Sequence, residues 1–260
     1  MRRRQYSLVA RLGCAFLLLT AAAARRSGAQ VGVAVPGHGA GTMELDRVVR
    51  TFLLTDVLEY EARSSHQSVH FEGLGWIGGD YNRLWLRALG EQPTNEGTGD
   101  YQVDAYYGRL ISPFWNALAG ARVDSREWDG RRVNRGLLAI GLEGIAPYWF
   151  ETEPTLYVSQ RGDVSARFEA ATDVLFSQRL IVQPRLEVNA AAQRVPEFGI
   201  GSGINDVNIG FRARYEFTRK FAPYVGLSWL RRTGETAALA RRAGEIDGYR
   251  TIVFGLRAWR

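Results

Sequence analysis

The feature that most constrains this chain is an alternation of apolar and polar residues with a period of two. In the segment 206–218, the odd positions from Val207 to Phe217 are apolar or aromatic, while the even positions include Arg212 and Arg214. The same alternation recurs in 180–189 and 251–258. Because successive side chains of a β-strand point to opposite faces, these segments are predicted strands with one apolar face. From residue 50 onward we find no helix start and no apolar window that could cross a bilayer as a helix, so the region is predicted to be all-β.

Two all-β architectures are compatible with this alternation. A soluble sandwich or lipocalin would point its charged faces to water, whereas a transmembrane barrel would point them into the lumen and its apolar faces to lipid. Strands of ten or more residues, aromatic residues near the strand ends and an N-terminal signal favour the barrel, and the even strand number agrees with closure. We therefore predict a single transmembrane antiparallel β-barrel of about 12 strands, at 50–62, 68–78, 81–91, 99–110, 113–124, 133–145, 148–160, 163–176, 178–192, 205–218, 221–232 and 249–260.

The first thirty residues predict export from the cytoplasm. A basic start is followed by the apolar run 12–24 and by small residues before Gln30, which is typical of a cleaved signal peptide. This segment holds six arginines and no acidic residue, so it accounts for the formal charge of +6. The remaining chain is neutral, and a nucleic-acid partner is not expected. The single cysteine, Cys14, lies in the predicted signal. The predicted organisation is a signal peptide at 1–29, a flexible lead-in at 30–49 and an outer-membrane β-barrel at 50–260.

Seven sequence blocks carry a resemblance to a known family. They are LEY at 58–60, GWIGGDYNRLWL at 75–86, ISPFW at 111–115, APYWFE at 146–151, QRLIVQPRLE at 178–187, GIGSG at 199–203 and FAPYVG at 221–226. These blocks resemble those of the copper resistance protein B family. The resemblance implies a barrel in the outer membrane of a Gram-negative bacterium, within a copper resistance and homeostasis system. It also implies binding of copper ions and assistance in their sequestration or export, beside a periplasmic copper-binding or multicopper oxidase partner and in contact with outer-membrane lipid.

The candidate copper ligands are few. Members of the family often have a Met- and His-rich segment between signal and barrel, which is reduced here to His38 and Met43 with nearby acids. His66 and His70 lie four residues apart, which returns a side chain to the same face of a strand, and Glu72 shares the face of His70. Imidazole, carboxylate and thioether are ligands that copper accepts. We predict copper(II) held chiefly by His70 with Glu72, with His66 close by and a weaker contact from His38 and Met43. The alternative is that His66 lies in a solvated turn and His70 only begins a strand.

The charged faces have two interpretations. Acidic residues and arginines on the predicted lumenal faces form either an ion-pair network that fills a narrow barrel or a path for cations. They are Glu59, Glu61, Glu143, Glu169, Asp173 and Glu187, with Arg135, Arg167, Arg185, Arg212, Arg214 and Arg257.

Two further function classes stay open besides the copper protein. One is an outer-membrane hydrolase that uses Ser65 or Ser68 with His66 or His70. Ser202 is not a candidate nucleophile, because the Gly-x-Ser-x-Gly pattern of a nucleophile elbow is absent. The other is a purely structural or adhesin barrel. We predict that the chain is not an enzyme.

Overall fold

The computed structural model describes residues 49–62, 67–94, 99–128 and 131–260. Nearly all of these residues belong to long antiparallel strands. The predicted signal peptide, and all of the predicted lead-in except Val49, lie outside the described residues and stay predictions. The strands are β1 (Arg50–Ala62), β2 (Ser68–Gly78), β3 (Asn82–Pro93), β4 (Gly99–Ser112), β5 (Trp115–Trp128), β6 (Arg131–Ala146), β7 (Phe150–Ser159), β8 (Val164–Ala171), β9 (Val174–Leu175), β10 (Leu180–Ala191), β11 (Gly203–Tyr215), β12 (Phe221–Arg232) and β13 (Gly248–Trp259).

The sheet closes into a barrel of twelve strands. Neighbouring strands pair antiparallel, and β1 pairs with β13, which joins the two ends of the sheet. The short strand β9 continues β8, because both pair with β10 in one register: Ala171 lies opposite Arg185 and Val174 lies opposite Val182. The predicted fold and strand number are therefore confirmed, and the predicted strand positions agree with the observed ones to within a few residues.

The alternation separates an apolar outer wall from a filled lumen. Outward side chains such as Leu138 and Ile140 are 69% and 70% exposed, whereas the inward Val253 and Asp104 are fully buried. An apolar outer surface of this kind is what a lipid-facing barrel wall requires. The lumen is not uniformly polar, because one part of its wall carries a packed apolar cluster of Trp85, Tyr106, Leu118, Leu137, Ala139 and Tyr157.

The two ends of the barrel differ in the length of their connections. The end at which β1 begins has connections of at most five residues, such as 113–114 and 216–220. We call it the turn end. The opposite loop end has the longest connections, 192–202 and 233–247. Outer-membrane barrels have short periplasmic turns and longer extracellular loops, so the turn end is assigned to the periplasm.

The prediction that no helix follows residue 50 was wrong. A helix, α1 (Gly234–Arg242), lies in the connection between β12 and β13. Its sequence has ordinary helix signals: Glu235 in the first turn, alanines in the centre, and Arg241 and Arg242 in the last turn, where they favour the helix dipole. The prediction missed this helix of nine residues because it relied on alternation of period two, which detects strands. No helix in the described ranges is long and apolar enough to cross a membrane.

Gly201 lets α1 pack closely against the connection 192–202. A β-carbon at this position would lie 2.5 Å from the backbone nitrogen of Thr236 and 2.6 Å from Cβ of Glu235. The Asn205 side-chain amide donates to the Gly201 carbonyl oxygen at 2.7 Å and to Thr236 Oγ1 at 2.8 Å. The backbone N–H of Ser202 donates to the Glu235 carboxylate, and this bond holds the pKa of Glu235 below its usual value. The helix is therefore fixed to the barrel by polar contacts.

A substitution on the outer wall tests which face meets lipid. Phe254 lies near the middle of β13, points outward and is 53% exposed. We expect Phe254→Arg to lower the free energy of unfolding by about 2–4 kcal/mol, because the charge would lie near the bilayer midplane. Phe217, in the turn between β11 and β12, is 62% exposed, and Phe217→Arg should cost only about 0–1 kcal/mol. The measurement is urea unfolding in lipid, followed by heat-modifiable gel migration. Equal costs at the two positions would contradict the assignment of the apolar face to lipid.

Gly201 offers a test of how α1 is held. We expect Gly201→Ala to displace α1 and to cost about 1–3 kcal/mol locally, because the methyl group has no room. Limited trypsin digestion should then cleave faster after Arg241 or Arg242. Gly79→Ala is the matched control, because a β-carbon at Gly79 meets nothing within 4 Å. If the two variants are cleaved at the same rate as the parent, the close approach at Gly201 does not hold the helix.

Candidate functional site

An ion-pair network crosses the centre of the lumen. Arg185 on β10 contacts both carboxylate oxygens of Glu72 on β2, at 2.7 and 3.0 Å, and also contacts Glu169 on β8 at 3.0 Å. Arg167 lies 3.4 Å from Glu187 and 3.8 Å from Glu169. We call these five residues the central network. Since β2 is far from β8 and β10 around the barrel, the pair of Arg185 and Glu72 spans the lumen.

Further ion pairs surround the central network. They link β11 with β1 and with the residues between β8 and β9, and they also link β3 with β7, β13 with β1, and β5 with β4 and β6. The predicted network that fills the barrel is thus present, and a wide open lumen is not. These pairs are Arg212–Glu59, Arg214–Asp173, Arg87–Glu153, Arg257–Asp56, Arg122–Asp104 and Arg135–Asp124.

The structure places His70 and Glu72 on the same lumenal face of β2, as predicted. His70 is paired across the sheet with Glu59 on β1 and with Glu91 on β3. It lines a cavity of about 230 Å³ together with Glu72, Glu91 and Glu187. The same cavity is also lined by Arg167, Arg185 and Arg212, so carboxylate and guanidinium groups from several strands lie beside the imidazole.

The other predicted ligands cannot be placed beside His70. His38, Met43 and His66 lie outside the described residues, so their proximity to His70 stays a prediction. Within the ranges that the structure describes, no group of three or more His, Cys, Asp or Glu side chains is arranged to hold a metal ion. The donor set that remains is one imidazole with adjacent carboxylates. These ligand types suit copper(II), but there are fewer ligands than a tight copper site needs.

Two larger cavities lie on either side of the central network. The turn-end cavity has a volume of about 650 Å³, and its charged lining includes Asp56, Glu143, Glu151, Arg83 and Arg257. The loop-end cavity has a volume of about 490 Å³ and lies between the barrel wall and α1. The lumen is therefore divided into a periplasmic and an extracellular compartment.

A carboxylate bridges the extracellular mouth. Glu245, just after α1, lies 3.3 Å from Arg126 on β5 and 2.6 Å from Arg232 on β12. The strands β5 and β12 are on opposite sides of the barrel, so Glu245 connects opposite walls. Sequence reasoning missed this residue, because no helix was predicted between the strands at 221–232 and 249–260.

The serines of the hydrolase alternative are bonded to carboxylates. Ser68 Oγ donates to Glu61 at 3.2 Å, and Ser202 Oγ donates to Glu235 at 3.1 Å. Ser65 lies outside the described residues. Each hydroxyl therefore donates its proton to a carboxylate and not to a histidine. A serine nucleophile needs an adjacent general base such as histidine.

Comparison with known proteins identifies the family. Residues 49–260 match the family described as Copper resistance protein B precursor (CopB). Copper resistance protein B of Escherichia coli is 36% identical over 214 residues, which cover 82% of this chain and 71% of that protein. A copper resistance protein B homolog of Pseudomonas syringae pv. tomato is 37% identical over the same coverage.

The likeness to solved structures concerns the fold. A NanC porin superposes with a TM-score of 0.51 at 12% identity, over 80% of this chain and 99% of the porin. The family match covers residues 49–260, and the barrel has an apolar outer wall. This chain therefore belongs to the copper resistance protein B family and is an outer-membrane β-barrel with a role in copper resistance.

Proposed function

We propose that the barrel binds copper ions in its lumen and assists their sequestration or export, without acting as an enzyme. The observation that carries this proposal is the position of His70 in a lumenal cavity whose lining includes several carboxylates beside three arginines, in a chain of a copper-resistance family. Copper(II) favours imidazole nitrogen together with carboxylate oxygen. We propose copper(II) as the form bound here, at one or two sites of modest affinity.

Glu72 can serve as the partner of His70 only if Arg185 releases it. Arg185 also contacts Glu169, at 3.0 Å, so the guanidinium keeps a carboxylate partner when Glu72 turns to the metal. Removing Arg185 from every carboxylate would instead leave a buried unpaired charge, which is costly. The proposed adjustment on copper binding is therefore that Arg185 gives up its contact with Glu72 and keeps its contact with Glu169. His66, His38 and Met43 are proposed as additional, weaker ligands.

Access to this site is proposed from the periplasm. The turn-end cavity includes Glu72 and Arg185 in its lining and so reaches the central network, whereas Glu245 and α1 bridge the opposite mouth. A periplasmic copper-binding or multicopper oxidase protein is the proposed partner, because it would exchange copper at the end where the cavity opens.

The histidines provide the direct test of copper binding. The chain has three, and we expect replacement of His66 and His70 by alanine to remove most copper(II) binding from the purified barrel. The fold should persist, since the described member of the pair, His70, faces the lumen and not lipid. The measurement is copper stoichiometry and affinity by calorimetry, with heat-modifiable migration as the check on folding. His38→Ala, the third histidine, should cause a smaller loss. Unchanged binding in the double variant would move the ligands to the lumenal carboxylates Glu143, Glu169, Asp173 and Glu187.

Closure of the extracellular mouth is tested by labelling a lumenal cysteine. Ser165 lines the loop-end cavity, and Ser165→Cys introduces a thiol of similar size there. We expect slow reaction with a membrane-impermeant maleimide added from outside, and faster reaction once Glu245→Gln removes the charge that joins Arg126 and Arg232. Glu197→Gln is the control, because Glu197 pairs only with the exposed Arg161 in the described part of the chain. Fast labelling in the Ser165→Cys parent would mean that the mouth is open.

A further inference from the structure

Two arginines at the loop end combine an outward position with the lack of an ion pair in the described part of the chain. Arg231, near the end of β12, and Arg250, near the start of β13, are exposed and lie on the lipid-facing side of their strands. In the part of the chain that the structure describes, neither guanidinium has a carboxylate partner. Most lumenal arginines, by contrast, are paired with carboxylates.

Strand register brings the two side chains together. Arg231 lies opposite Gly248, and Trp229 lies opposite Arg250. The two arginines are therefore diagonal neighbours on one face, at a separation of roughly 7–8 Å that long side chains can bridge. A β-carbon at Gly248 would lie 3.2 Å from Cδ of Arg231, so the side chain of Arg231 already lies along the surface at this glycine.

The position of the pair relative to the membrane indicates its ligand. Both arginines lie at the loop end: Arg231 is the next outward residue beyond Trp229 on β12, and Arg250, level with Trp229, is the next beyond Ile252 on β13. The outward residues Trp229, Ile252 and Leu227 are 39%, 49% and 61% exposed. A tryptophan between an apolar belt and charged residues is typical of the membrane interface. The pair therefore lies at the level of the lipid headgroups of the extracellular leaflet, which in an outer membrane is made of lipopolysaccharide.

We propose that Arg231 and Arg250 form a binding site for a phosphate group of the lipopolysaccharide headgroup, with Trp229 packing against the lipid below it. Guanidinium groups bind phosphate through paired, charge-assisted hydrogen bonds, and two of them side by side match the charge of a phosphate monoester. The site faces lipid and is separate from the lumenal copper site.

The test uses the purified barrel in a mild detergent with fluorescent lipid A, the phosphorylated anchor of lipopolysaccharide, as the probe. We expect saturable binding that weakens by about tenfold or more in Arg231→Gln/Arg250→Gln, because charge-assisted bonds to phosphate are lost. Dephosphorylated lipid A should bind the parent only weakly. Its affinity should be similar to that of intact lipid A for the double variant. Heat-modifiable migration of the double variant should match that of the parent.

Arg132 provides the matched control. It also lies at the loop end on the outward side, on β6, but its guanidinium is 2.8 Å from the carboxylate of Glu127. Arg132→Gln should therefore leave lipid A affinity within about twofold of the parent, since a paired arginine offers less to phosphate. Equal lipid A binding by the double variant and the parent would overturn the proposal, as would equal binding of dephosphorylated lipid A. Copper binding should be the same in all three proteins, so this result is independent of the lumenal site.

Discussion

The pairing of β1 with β13 is the interaction on which the rest of the structure depends. In lipid, every backbone N–H and C=O group of a strand must find its partner within the protein, and an open sheet would leave two edges without partners. Closure removes both edges. It also gives each strand one face toward lipid and one toward an enclosed lumen, so the alternation along the sequence becomes a division between two environments. Within the apolar core of the bilayer, charged residues can be accommodated only on the inner face, and the outward Arg231 and Arg250 lie at the membrane interface.

A lumen of this size that receives so many charges must pair them. Because the lumen is narrow, arginine side chains reach the opposite wall. There they contact carboxylates from distant strands. The same ion pairs that stabilise the barrel also lie between the turn-end and loop-end cavities, so an ion that moves from one cavity to the other must pass among charged side chains. For the copper-binding role that we propose, such a lumen is suited to holding an ion rather than to free diffusion.

The sequence predicted the strands well and the site only in part. Period-two alternation is a local property, so the positions of strands such as β11 and β12 could be read directly from neighbouring residues. Which charges meet in the lumen depends on strand stagger and barrel diameter, which no local pattern contains. Glu72 was therefore correctly assigned to the lumenal face, while its contact with Arg185, 113 residues away, was not foreseen. The helix α1 was missed for a different reason: its signals are ordinary, but they occupy one short segment among long strands.

The sequence distances within the lumenal ion pairs have a consequence for assembly. Glu72 and Arg185 are 113 residues apart, and Glu59 and Arg212 are 153 residues apart. A partly inserted sheet that lacks its last strands would expose these carboxylates and guanidiniums without their partners, and unpaired charges are not tolerated in a nonpolar environment. The charged faces must therefore stay hydrated until the strands that carry both partners are in place. Insertion into the bilayer should accordingly be a concerted event, in which the lumenal charges lose their water and form ion pairs as the barrel closes. Stable half-barrels should not accumulate.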